Sequence, residues 1–63
     1  MKLKNMLEVI QEYQIIEITY SLSHTPLFHG EAKDALKLNK YVMKADVLFC
    51  KTYTTSVLSI VIK

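Results

Sequence analysis

Between Leu27 and Leu38 the chain changes its hydrophobic period, and that change restricts the folds open to it. Leu27–Ala32 alternates sides as a strand does, with Phe28, Gly30 and Ala32 expected inward and Leu27, His29 and Glu31 outward. Lys33–Leu38 is then expected as one or two helical turns, with Ala35, Leu36 and Leu38 inward. Gly30 is the only glycine, and with Ala32 it leaves room for another element to lie close to the sheet. Asp34 stands near the start of the turns, where a carboxylate can accept from free backbone N–H groups. Asn39 suits their end, because asparagine tolerates the left-handed conformation.

The flanking segments extend the pattern on both sides. Leu3, Met6, Leu7 and Ile10 recur at i, i+3, i+4 and i+7, which predicts a helix over Lys2–Glu12. Ile15–Leu22 alternates Ile16, Ile18, Tyr20 and Leu22 with Glu17, Thr19 and Ser21, a strand with one buried face. The polar Ser21–Pro26 holds the only proline and reads as the loop of a β-hairpin. A third strand is expected within Tyr41–Tyr53, with Met43, Ala45, Val47, Phe49 and Tyr53 inward. Lys51 breaks that inward series near the strand end. After a turn at Thr54–Ser56, Val57–Ile62 is the fourth strand, with Leu58, Ile60 and Ile62 inward.

The order α-β-β-α-β-β predicts an α+β fold. It is expected as a single four-stranded antiparallel sheet, with the amino-terminal helix and a short middle helix on one face. Residues 1–63 then form one domain, because no linker, repeat or low-complexity tract divides them. A chain of this length buries only roughly 60% of the surface it exposes when unfolded. It therefore has little room for a deep pocket with convergent polar groups.

Composition narrows the function classes. The chain is 51% hydrophobic and 22% charged, too apolar for disorder. Lys2, Lys4, Glu8 and Glu12 break any apolar run near the start, so no secretory leader and no membrane span are expected. One cysteine suits a reducing cytoplasm. All eight basic residues are lysine, dispersed among six carboxylates. Arginine, the side chain that forks onto guanine and phosphate, is missing, which disfavours nucleic acid.

No constellation of catalysis emerges. His24 and His29 lack the paired spacing and further ligands of a metal site, and they read as loop and strand residues. Cys50 has no orienting partner and reads as a half-buried structural cysteine. Glu31 and Asp34 straddle a strand-to-helix change beside lysines and read as solvated. Gly30-Glu31-Ala32-Lys33-Asp34 lacks the second glycine and the Lys-Ser/Thr ending of a phosphate loop. Neither catalytic residues nor a cofactor are expected.

Leu3–Ile10, Ile15–Tyr20, Leu27–Leu36 and Ser56–Ile62 together carry a resemblance that spans nearly the whole chain. It resembles small, uncharacterised proteins encoded by phages and prophages of Gram-positive bacteria. These combine a Leu-x-x-x-Leu-x-x-Ile helix, a strand, a Leu-Phe-x-Gly-x-Ala-Lys-Asp-Leu motif and an Ile/Val-rich tail. Phe28, Gly30, Ala32, Lys33 and Asp34 are its most specific part, while Ala35 before Leu36 and the lysine-rich Leu36–Lys44 depart from it. The resemblance implies a genomic setting, the bacterial host cytoplasm, in which small proteins often bind a host protein. Anti-CRISPR inhibitors belong to that setting.

One feature of the pattern points to binding independently of the resemblance. Leu48, Cys50, Val57 and Val61 fall on the expected second face of the sheet, with Ile15 and Leu27 beside them. A cluster of apolar residues there marks a protein interface. The expected function is a small protein-binding module, an inhibitor of a host defence protein such as a CRISPR-Cas nuclease or a self-associating homodimer. The alternative is a small nucleic-acid-binding or regulatory domain.

Overall fold

The computed structural model describes residues 1–52 and 56–63. The expected inward position of Tyr53 and most of the expected turn at Thr54–Ser56 lie outside the described residues. The elements are α1 (Leu3–Val9), β1 (Ile15–Tyr20), β2 (Pro26–Glu31), α2 (Ala32–Ala35), α3 (Lys40–Met43), β3 (Val47–Thr52) and β4 (Val57–Ile62). The fold is α+β, one four-stranded sheet in the order β2-β1-β4-β3.

That sheet is mixed, which corrects the wholly antiparallel expectation. The pairs β1–β2 and β3–β4 are antiparallel, but the central pair β1–β4 is parallel. The cause is the path between hairpins. From the end of β2 the chain passes through α2 and α3 to the opposite edge before β3 begins. A crossover of this kind is what parallel neighbours require. It also puts the two Ile-rich strands, β1 and β4, in the middle, where they lose most contact with water. Gln14 ties the parallel pair at its start, its Nε2 donating to the carbonyls of Ile15 (2.9 Å) and Ser56 (3.0 Å).

Helical and strand residues share one core. Leu3, Leu7, Ile16, Ile18, Ala32, Ala35, Ile60 and Ile62 are buried, with Met6, Ile10, Phe28, Leu38 and Leu58 packed around them. The inward faces expected for the leading helix, the first strand to Ile18 and the last strand are therefore observed. The helix itself is shorter than Lys2–Glu12, because Ile10 is already extended. Residues 1–3 instead clamp the entry to β3: Val47 N–H donates to Met1 O (2.8 Å) and Leu3 N–H to Ala45 O (2.9 Å). Leu22, expected inward, is 83% exposed, since β1 ends at Tyr20 and the hairpin loop begins. His24 in that loop takes φ 57°, the left-handed region.

The middle of the chain differs most from expectation. The N–H groups that open α2 are taken by backbone carbonyls, Ala32 N–H by Gln14 O and Lys33 N–H by Glu12 O, not by the Asp34 carboxylate. Asn39 starts a helix instead of ending one: its Oδ1 accepts from Val42 N–H at 3.0 Å and caps α3. Residues 40–43, expected to lead into the third strand, are thus a helical turn. Val42, Met43 and Ala45 still reach the core from it.

Gly30 was expected to leave room over the sheet, and a Cβ there would meet the ring of Phe28, with Cζ at 3.2 Å. Phe28 and Gly30 lie two apart on one strand, so the ring folds over the space the glycine leaves. Gly30→Val should destabilise the protein by ~1–3 kcal/mol through overpacking against that ring. In a Phe28→Leu background the penalty should shrink, as denaturant unfolding of the four variants would show. Equal penalties in both backgrounds would contradict the contact.

Lys2 and Asp46 face each other across an antiparallel bridge, Nζ to Oδ1 2.8 Å. The hydrogen bond from the Lys2 ammonium, and then its charge, hold the Asp46 carboxyl below its ordinary value of 3.8. A lowered folded pKa favours the folded state above the ordinary value, and that advantage is lost as pH falls through the folded one. The pair is exposed, so the effect is small. Asp46→Asn should melt slightly below wild type at neutral pH and coincide with it well below pH 3.8.

Candidate interaction face

All three helices contribute to one side of the sheet, through Leu3, Leu7, Ala32, Ala35, Val42 and Met43, and the register fixes which strand residues point the other way. On the open side, Ile15 stands between Glu31 and Val57. Glu17 lies between His29 and Ser59, with Lys51 beyond Ser59. Thr19 neighbours Val61, which neighbours Phe49. The face is therefore a polar middle row between two mixed rows, whose apolar members are Ile15 and Val57 on one side and Val61 and Phe49 on the other.

Of the four residues expected on this face, Val57 and Val61 are there and half-buried. Leu48 sits at a bulge, where the register shifts between Val47 and Phe49, and is about half exposed. Cys50 is not on the face. It pairs with Ile60, so its side chain is on the helix side of the edge strand, and it is exposed, not half-buried. The physical reason is the bulge. One extra residue reverses the alternation beyond it, so Phe49 and Lys51 turn to the open face. Phe49, expected inward, is 53% exposed beside Val61. Leu27, expected beside the patch, is left over by a second register shift between β1 and β2 and lies with Tyr20 and Val42 on the helix side.

Sequence reasoning missed Phe49, though a signal was present. Lys51 is an anomaly in an inward series that ignores the bulge, and it is an ordinary outward residue once the bulge is counted. His24 was read as a plain loop residue. It is exposed, and it lines a hollow of about 290 Å³ on the open face. Phe49, Val61, Thr19, Ser59 and Pro26 line the same hollow. Ser59, at the centre of the polar row, is only 1% exposed. Its small side chain stands between the longer Glu17 and Lys51 on neighbouring strands.

Among the described residues, no group of three His, Cys, Asp or Glu residues gathers in a way that could hold a metal ion. No helix among the described residues is long and apolar enough to cross a membrane. Comparison with protein-family models, curated proteins and solved structures finds no match.

Proposed function

We propose that the protein is a small binding module that docks a partner protein on the open face of its sheet. The observation that carries this reading is the apolar set Ile15, Val57, Val61 and Phe49, held at fixed register on a face that the helices leave uncovered. Removing such surface from water is worth ~25 cal/mol per Å² before the costs of association. The polar row supplies hydrogen-bonding groups from His29, Glu17 and Lys51 that fix orientation.

Size limits the affinity. The molecule measures 25 × 20 × 17 Å, so the face offers roughly 1,000 Å² counting both partners, at the lower bound for a specific interface. A tight complex must extend over the β2 or β3 edge as well. The resemblance to phage and prophage proteins supports a host protein as the partner, a defence nuclease of the CRISPR-Cas kind among the candidates, and a non-enzymatic inhibitory role in the cytoplasm.

Salt separates this reading from nucleic-acid binding. Titration of a labelled single strand and a labelled duplex should show no appreciable binding at moderate salt. Capture of protein from host lysate should survive high salt, because apolar contacts do not depend on counterion release. Nucleic-acid binding that falls steeply with salt, with no protein capture, would replace the proposal.

A further inference from the structure

A groove on the helix side of the molecule, separate from the open face, has its own recognition chemistry. Tyr20 from the end of β1, Leu27 from the start of β2, and Tyr41 and Val42 from α3 wall it. Its charged lining residues are Lys44 and Lys63, and no carboxylate side chain lines it. The nearby Asp46 is ion-paired with Lys2 and also feels the Lys63 charge, while Lys44 lines the groove with Lys63. The cavity is about 240 Å³, below the ~300–1,000 Å³ that hold a drug-sized ligand, and suited to one large side chain. Tyr41 is 79% exposed beside it, an aromatic surface that contributes nothing to the buried core.

We propose that this groove takes a single large apolar side chain presented by an acidic peptide segment. The apolar walls receive the anchor, and the two ammonium groups meet carboxylates flanking it. Tyrosine hydroxyls supply donors for the peptide backbone. The inference stands independently of the open face, since Val57, Val61 and Phe49 take no part in it.

The test is amide NMR of the full chain titrated with the peptide Ac-Asp-Glu-Trp-Asp-Glu-NH2. Controls are the same peptide with Gly for Trp, a peptide with Lys for every acid, and an oligothymidylate. The Trp peptide should shift Tyr20, Val42, Lys44 and Lys63 saturably, and both peptide controls should leave them in place. Tyr41→Ala and Lys44→Glu, both at exposed positions that spare the core, should each weaken binding about tenfold. Equal shifts with the Gly peptide, or shifts confined to open-face amides, would overturn the proposal. So would tighter binding of the oligothymidylate, which would make the groove a stacking site for bases.

Discussion

Leu7→Ala should cost ~2–5 kcal/mol, while Val9→Ala on the same helix should leave stability almost unchanged. Leu7 is 4% exposed in the cluster that joins α1 to β1 and β4, whereas Val9 faces water. Truncation removes the apolar transfer term and leaves a cavity in place of one of the two buried residues, Leu3 and Leu7, of this seven-residue helix. Domains are stable by ~5–15 kcal/mol, and one this small lies near the lower end, so the loss approaches the whole margin. Urea unfolding followed by circular dichroism would read it. A neutral Leu7→Ala would mean that α1 is not what covers the sheet.

The second large effect concerns the open face. A charge introduced there should abolish partner capture while leaving the fold intact. Val61 and Phe49 are neighbours across β4 and β3, and neither belongs to the buried core. A lysine at either position is solvated in the free protein but stripped of water, with no designed counter-charge, when a partner covers it. Burial of an unpaired charge costs several kcal/mol, enough to reduce affinity by two orders of magnitude or more.

How far the sequence foretold this arrangement differs from element to element. Ile16 and Ile18 were legible because they alternate with the polar Glu17 and Thr19, and Leu58, Ile60 and Ile62 because the period of two around Ser59 puts them on one face. Leu3 and Leu7 were legible because the helical period does the same. Register, by contrast, depends on pairings that no local pattern encodes. The bulge at Leu48 reverses Phe49 and Cys50 through the pairing with β4, and the parallel β1–β4 pair follows from a crossover path set by the whole fold. Asn39 illustrates the local version of the same difficulty. Asparagine caps helix starts and tolerates helix ends, and only the chain beyond it decides which. Of the candidate face, Val57 and Val61 were therefore readable, Phe49 was hidden by one extra residue, and Cys50 was misplaced by it.

The measurement that bears most directly on the open face compares partner capture by four folded proteins: wild type, Val61→Lys, Phe49→Lys and Leu36→Lys. Leu36, expected inward, is instead exposed, because α2 ends at Ala35; it lies away from the open face and serves as the control for added charge. Circular dichroism and thermal melts establish that each variant is folded, and analytical ultracentrifugation across concentration reports self-association alongside capture from host lysate. Wild type and Leu36→Lys should retain the complex, whether with a host protein or with a second copy, and Val61→Lys and Phe49→Lys should lose it. Retention by all four, or loss only in Leu36→Lys, would contradict the open face as the binding surface.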